Sequence, residues 1–396
     1  MQELKNTTLV VLASTYPRWA NDAVPNFVEN FVNRMSDKFR NVCVIAPHYK
    51  GAQRKERNPA NNVCVRRFRY FIPYSRENIA YGEFRKDKSY SVKVLFYVWS
   101  ELWTTFWVCI RSERPVINAH WLIPQGFVAV LLRPVFRCKV VISIHGADVF
   151  TLNGAVMRKL KRFALKRADA VVVNSSATRE ACEELYRREY RVIPMGVDIT
   201  SFKTSRTREE GETFELLFVG RVVEEKGLGY LCEAMKVLRQ RGFQAHLNIV
   251  GNGSAHDDIA RYIKQHELDD VITLVGWIQQ DRLAEYYSKA DVFVGPSVEI
   301  ENGWREAFGV ALAEASASGL PVIATGTGGI EDIVKDEVNG LIVPQKDAQA
   351  IVHAVVRLRE DPQLRDKLGR RGAGYIGENF SWDVVAARYE QVFKDA

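Results

Sequence analysis

The chain has little that would fix it by covalent or metal chemistry. Its six cysteines, Cys43, Cys64, Cys109, Cys138, Cys182 and Cys232, are scattered with no C-x-x-C spacing. That pattern excludes a disulfide frame or a spaced zinc site and fits buried thiols in a reducing compartment. No G-x-x-x-x-G-K-[ST] phosphate loop is present. Long uncharged apolar runs are missing too. The nearest is Val92 to Ile110, VKVLFYVWSELWTTFWVCI, which approaches the ~20 residues of a spanning helix but carries Lys93, Ser100, Glu101, Thr104 and Thr105. It reads first as a buried helix, second as a bilayer-contacting helix and last as a true span. The N-terminal MQELKNTTLVVLAS lacks a small-residue cleavage pattern and reads as a first strand, not a secretory leader.

What is present is an ordinary globular composition, 47% hydrophobic and 26% charged over 396 residues, which excludes disorder. The length favours two domains of about 150 to 200 residues. The net charge of +7 conceals a division: residues 1–195 hold 32 Lys and Arg against 16 Asp and Glu, residues 196–396 hold 23 against 32. A basic half beside an acidic one suggests an anionic partner: nucleic acid, a phosphorylated acceptor or an acidic lipid surface. A merely solvated basic surface is the plain alternative.

Short β-branched runs alternate with helical stretches: TLVVLAS (8–14), NVCVIAP (41–47), VINAHW (116–121), KVVISIHG (139–146), DAVVVNS (169–175) and YRVIPMG (190–196). The pattern restarts with FELLFVG (214–220), AHLNIVG (245–251), DVITLVG (270–276), ADVFVGPS (290–297), PVIATG (321–326) and NGLIVP (339–344). Such alternation predicts two α/β domains around parallel sheets. The polar stretch 194–213 marks a hinge, giving an N-terminal domain over 1–195 and a C-terminal one over 196–379. The amphipathic 380–396, with Ser381 as N-cap, either closes the second domain or crosses back onto the first.

Ligands of open α/β sheets bind beyond the carboxyl ends of the strands, where helix N-termini offer amides to anions. After FELLFVG comes Gly220-Arg221-Val222-Val223-Glu224-Glu225-Lys226-Gly227. A guanidinium and an ammonium at that turn would neutralise a diphosphate leaving group; solvated surface cations are the alternative. After ADVFVGPS lie Glu306, Ala307, Phe308 and Gly309, with Glu314 eight residues beyond Glu306. On one helix these acids would stand ~12 Å apart, beyond the ~5 to 9.5 Å of paired glycosidase carboxylates, so two separate tasks are implied. The alternative is a pair of surface acids. The amides of Ala307, Phe308 and Gly309 would hold sugar hydroxyls or phosphate.

Together GRVVEEKG, Glu306-x7-Glu314 inside EAFGVALAEASASGLPVIAT, GGIEDIV (328–334) before NGLIVP, and PMGVD at the hinge resemble the family 4 glycosyltransferases over almost the whole chain. The resemblance implies a GT-B fold, two Rossmann-like domains facing each other across a cleft, and retaining transfer of a hexose-type sugar from a nucleotide diphosphate, UDP first and GDP second. It assigns Arg221 and Lys226, with Gly220, to the donor diphosphate, Glu314 to the ribose and Glu306 to the transferred sugar. His145, in SIHGADV, matches the family's H-G-x-D segment near that sugar, with Asp148 in the same site; a structural histidine is the alternative. Gly251 and Gly253, in IVGNGS, resemble the loop beside the nucleobase. The first loop departs from the family's Gly-Gly pair: this chain has Tyr16-Pro17-Arg18-Trp19-Ala20-Asn21-Asp22-Ala23, so Tyr16, Asn21 and Asp22 become acceptor-side candidates.

No nucleophilic carboxylate is evident, so same-face attack is expected, the leaving phosphate helping to deprotonate the acceptor. No metal and no cofactor are expected, since D-x-D is absent and two basic side chains can replace a cation. Over 54–107 basic residues interleave with aromatics, from Arg66, Arg67, Phe68 and Arg69 to Trp99, Trp103 and Trp107. Such a surface suits an anionic leaflet carrying a lipid-linked acceptor. Single-stranded nucleic acid is the less favoured partner. The expected place is the cytoplasm, peripheral on the inner membrane face, in cell-surface polysaccharide synthesis. Rival readings are a nucleotide-sugar epimerase or hydrolase of the same fold, and a non-catalytic nucleotide-sugar-binding module.

Overall fold

The β-branched runs form strands, and the central ones are buried on both faces, as parallel strands covered by helices must be. The structure, a computed structural model, describes residues 4–19, 22, 24–58, 60–77, 90–202, 213–301 and 303–396. Asn21, Asn302 and residues 203–212 of the expected hinge lie outside the described residues. The chain divides into two compact units, one of residues 1–174, 178–196 and 382–396, the other of 175–177 and 197–381. Both are α/β with a sheet of parallel strands, the fold class expected from the alternation.

In the first unit the strands are Thr8–Leu12 (β1), Asn41–Pro47 (β2), Lys55–Arg57 (β3), Val63–Phe68 (β4), Pro115–His120 (β5), Lys139–Ile144 (β6), Ala170–Val173 (β7) and Arg191–Val192 (β8). They are ordered β3-β4-β2-β1-β5-β6-β7-β8, parallel except for β3 against β4. β3 and β4 were not anticipated, because VCVRRFRY reads as a basic–aromatic surface. Alternation resolves it: Val63 and Val65 point into one apolar core, while Arg67 on that same face is buried, its guanidinium donating to Pro17 O at 2.6 Å.

The face carrying Val63 and Val65 is covered by α1 (Phe27–Ser36) and the C-terminal helix Trp382–Asp395, which meet through Phe31 and Tyr389, ring centroids 4.8 Å apart. The opposite face, that of Cys64 and Phe68, is covered by α2 (Tyr90–Ile110), whose Tyr97 ring stands 4.9 Å from that of Phe68. Beside α2 lies α3 (Phe127–Phe136), joined by a Phe106–Phe136 contact of 5.3 Å.

α2 corrects the expectation of a buried helix. Its inner face is the polar one: Lys93 (1% exposed), Tyr97, Glu101 (0%) and Thr105 are buried, while Leu95 (72%), Trp99 (63%), Phe96, Trp103 and Trp107 face outward. The buried charged groups each make a hydrogen bond, although Glu101 Oε2 and Gln125 Oε1 have none. Lys93 Nζ donates to Arg76 O at 2.7 Å, and Gln125 Nε2 donates to Glu101 Oε1 at 3.1 Å. Among the described residues, no helix is long and apolar enough to cross a membrane.

In the second unit, Phe214–Val219 (β9), Ala245–Val250 (β10), Ile272–Gly276 (β11), Val292–Gly295 (β12), Val322–Thr325 (β13) and Leu341–Val343 (β14) form a wholly parallel sheet, ordered β11-β10-β9-β12-β13-β14. Helices Leu228–Gln240 and Ala348–Glu360 fill its main core from Leu231, Met235, Leu238, Val352 and Val355.

Burial pushes the Glu101 carboxyl up to about 8, against the hydrogen bond from Gln125. The folded state therefore keeps a proton that the unfolded chain releases above its ordinary pKa, so Glu101 makes stability fall as pH rises from about 4.5 to about 8. A neutral isostere removes that slope. Glu101→Gln should melt several degrees above the wild type at pH 8 and near it at pH 5; thermal denaturation at both values checks this, and equal gaps at both would refute the protonated state.

Candidate active site

In the second unit, four turns at the carboxyl ends of β9, β10, β12 and β13 are pressed together by close backbone contact. The loop after β10 lies on the loop after β9: Val222 N donates to Asn252 O at 3.0 Å and Ala255 N to Val222 O at 2.9 Å. Only glycine allows this approach, since a Cβ on Gly251 would sit 1.8 Å from Gly220 O and one on Gly253 2.3 Å from Val222 O. The loop after β13 lies likewise on the turn after β12. Gly329 N donates to Glu306 O at 2.8 Å, and a Cβ on Gly328, φ +57°, would meet that same oxygen at 2.0 Å.

This framework brings together most of the second-unit candidates. Glu306 lies in the turn before helix Val310–Ala317, not on it, so the helical spacing to Glu314 does not apply. Its carboxylate forms an ion pair with Lys226 from the β9 turn and accepts from Ser297 Oγ at 3.3 Å. Lys226 Nζ also stands 5.8 Å from the centre of the Trp304 ring. Arg221 is largely exposed, its nearest carboxylate being Glu225 at 3.7 Å. Ala307, Phe308 and Gly309 lead into the helix, with the Phe308 side chain turned into the core against Phe380 at 5.8 Å.

Glu314, inside that helix, is buried and accepts from Tyr287 OH at 3.0 Å. Desolvation pushes its carboxyl up to about 7, while the Tyr287 hydroxyl holds it down. A carboxylate so placed is half protonated near neutrality.

The first unit holds a separate constellation where β5 and β6 end. His145 follows β6 and stacks on His120, the last residue of β5, with ring centroids 5.2 Å apart, planes 5° apart and Nε2 3.0 Å from His120 Nδ1. Burial lowers both imidazoles, His145 to about 3, so the pair is neutral at physiological pH and shares one hydrogen between the facing nitrogens. Asp148, buried, accepts from Leu122 N at 2.6 Å. It thus ties the loop after His145 to the turn after β5 through Oδ2, while Oδ1 has no hydrogen-bond partner among the described residues.

The first loop is closed on itself. Arg18 Nε and Nη2 bind Asp22 at 2.7 and 2.6 Å, and its guanidinium lies 4.4 Å from the ring centres of both Trp19 and Tyr49. Burial opposes ionisation of Asp22, but the Arg18 hydrogen bonds and charge outweigh it and hold the carboxyl low. Tyr16 is buried. The structure therefore places neither Tyr16 nor Asp22 as an open acceptor-side group.

Residues 24–201 match the family described as Glycosyltransferase Family 4, and residues 201–375 that described as Glycosyl transferases group 1. WcaL of Escherichia coli strain K12, which bears the name of a colanic acid biosynthesis glycosyltransferase, is 31% identical over 290 residues, covering 70% of this chain and 71% of its own. This chain belongs to the family 4 glycosyltransferases. AmsK of Erwinia amylovora, an amylovoran biosynthesis glycosyltransferase, is 29% identical over 266 residues, 64% of each chain. Among solved structures, sucrose-phosphate synthase of Thermosynechococcus elongatus superposes with a TM-score of 0.80 at 22% identity, over 98% of both chains. HepE of Anabaena gives 0.74 at 16%, over 98% of this chain and 100% of its own. These likenesses establish the GT-B fold.

Four residues of this glycosyltransferase escaped the sequence reading: His120, Tyr287, Ser297 and Trp304. His120 had a signal, since it ends a strand as His145 follows one, and parallel pairing of β5 and β6 sets His120 beside Ser143. Tyr287 had none, because its contact with Glu314 is fixed only by packing. Gly328→Ala should shift the Glu306 turn, lowering the melting temperature by several degrees and transfer at least tenfold; unchanged activity with intact folding would show that the turn tolerates the displacement.

Proposed function

We propose that this glycosyltransferase moves a hexose from a nucleoside diphosphate, UDP first and GDP second, to a glycan or lipid-linked acceptor with retention of configuration, in cell-surface polysaccharide synthesis at the inner face of the membrane. The observation that carries the reading is the Lys226–Glu306 ion pair, a cation and a carboxylate from two strand-end turns held together by glycine backbones. The UDP preference draws support from HepE, whose structure was solved with UDP and glucose. The polysaccharide setting draws on the names of AmsK and WcaL.

Lys226 and Arg221 would bind the diphosphate oxygens, where negative charge grows as the glycosidic bond breaks. Gly220 lets the backbone approach, and the amides of Ala307, Phe308 and Gly309 add uncharged donors. Glu306 would accept from hydroxyls of the transferred sugar and stabilise the oxocarbenium-like transition state. Glu314 would accept from the ribose, while the backbone near Gly251 and Gly253 would hold the base. The acceptor oxygen bonds to the anomeric carbon on the face from which the phosphate leaves; the electron pair of the broken bond goes to the phosphate, and the acceptor proton passes to a phosphate oxygen. Neutral His145, backed by His120, would supply a hydrogen bond to the sugar without adding charge. No metal is required by these roles.

Calorimetric titration in chelator with UDP, GDP and ADP should show one clear preference, weakened at least tenfold by Lys226→Ala. Glu306→Gln should keep nucleotide affinity and lose transfer, and turnover of the donor without acceptor would mark a hydrolase instead. Glu314 adds a pH signature. Because its carboxyl titrates near 7 and the charged form is the better hydroxyl acceptor, nucleotide affinity should rise from pH 6 to pH 8. Removal of the Tyr287 hydroxyl, which holds that pKa down, moves the rise upward in Tyr287→Phe, while Glu314→Gln leaves only the nucleotide's own titration. Identical pH profiles in all three proteins would sink the ribose assignment.

A further inference from the structure

The outward stripe of α2 ends on a pocket that none of the roles above uses. Val92, Leu95, Phe96, Trp99, Trp103, Trp107 and Ile110 recur at helical spacing on the exposed side, a stripe of about 27 Å at 1.5 Å per residue. At its C-terminal end, an open cavity of about 310 Å³ is lined by Arg57, Arg66, Arg111, Cys43 and Cys64. Arg57 faces Cys64 across β3 and β4, and Cys43 faces Cys64 across β2 and β4. The cavity also touches Thr8 and Asn41, which open β1 and β2, so it lies at the amino ends of these strands, away from His120 and His145 at the carboxyl ends of β5 and β6. Arg111 joins pocket to stripe: its guanidinium lies 5.1 Å from the Trp107 ring centre.

Charge identifies the occupant. Residues 60–77 and 90–170 contain 16 Lys and Arg against 5 Asp and Glu. Each of those acids is engaged: Glu77 by His48, Glu101 by Gln125, Glu113 by Arg40, Asp148 by the Leu122 amide and Asp169 by Arg133. None of the three pocket arginines has a carboxylate partner among the described residues. A second copy of the chain would bring the same positive charge to this face, whereas an anionic leaflet complements it and takes up tryptophan at its interface.

We propose that α2 lies in the plane of an anionic leaflet, with Leu95, Phe96, Trp99 and Trp103 among the acyl chains, and that the pocket of Arg57, Arg66 and Arg111 takes the phosphate of one phospholipid. The inference rests on the reading of a membrane-side acceptor and adds to it a lipid site remote from the sugar chemistry. The thiol of Cys64 registers the same field. The hydrogen bond from Cys43, then the charges of Arg66 and Arg57, bring it down to about 7, whereas the other five thiols are raised.

Cys64, half-buried and low in pKa, is thus a reporter for the pocket. Wild-type protein would be alkylated with iodoacetamide at neutral pH, the rate at Cys64 followed by mass spectrometry, and sedimentation with vesicles measured in parallel. Phosphatidylglycerol vesicles should sediment the protein and slow alkylation of Cys64 severalfold; phosphatidylcholine vesicles and millimolar inorganic phosphate should do neither. Arg57→Ala with Arg66→Ala should lose the protection while still sedimenting, and Trp99→Ser with Trp103→Ser should lose sedimentation. Unchanged Cys64 reactivity in sedimented wild type would overturn the phosphate pocket and leave the leaflet reading standing. Protection by inorganic phosphate alone would assign the pocket to a soluble anion. Self-association abolished by the tryptophan changes would replace the leaflet with a second copy. Absence of sedimentation would overturn the docking itself, while nucleotide titration remains a separate test of sugar transfer.

Discussion

A parallel sheet has to be covered on both faces, and its crossover helices leave only the strand ends open. That constraint governs both units. In each, the strands carry almost uninterrupted apolar residues, so titratable groups collect where strands give way to turns. His120 and His145 end or follow neighbouring strands in the first unit. Lys226 and Glu306 follow β9 and β12, which are also neighbours in their sheet. Groups separated by 80 residues in sequence become an ion pair because their strands pair.

The turns must then come close enough for the side chains to meet, and here the backbone is the limiting element. Gly251 against Gly220, Gly253 against Val222 and Gly328 against Glu306 leave no room for a Cβ. These contacts set where the Glu306 carbonyl and the amides of Ala307 to Gly309 stand before any ligand arrives. The glycines therefore fix where these groups stand, and their spacing in the sequence was the visible trace of a packing requirement.

Much of this was legible in advance. The strand runs anticipated twelve of the fourteen strands among the described residues, because apolar β-branched segments bounded by glycine and proline admit few other readings. Glu306, Lys226 and His145 were legible from motif combinations. What stayed hidden depended on side chains whose partners lie far along the chain. Asp22 was an acceptor-side candidate in the sequence, and its pairing with Arg18 was not visible there; nor was the hydrogen bond that Asp148 accepts from the Leu122 amide. β4 was obscured because Arg67, an inward position on a strand, was read as surface; its guanidinium finds Pro17 O inside the fold.

The same error, in the opposite sense, occurred at α2. Hydrophobicity suggested first a buried helix and only second one that meets a bilayer. Burial reverses this, and the reversal has a physical condition: the inward charges must be neutralised or satisfied. Lys93 meets this by donating to the Arg76 carbonyl, and Glu101 by keeping its proton beside Gln125. Once the sheet accepts the polar face, the apolar face has no core left to enter. A water-facing row of Trp99, Trp103 and Trp107 forgoes the burial that such large side chains normally gain. Among the described residues the arginines beside this row, Arg57, Arg66 and Arg111, have no carboxylate partner, so the exposed apolar row and the positive charge next to it are two sides of one arrangement: the polar face of the helix was taken by the sheet.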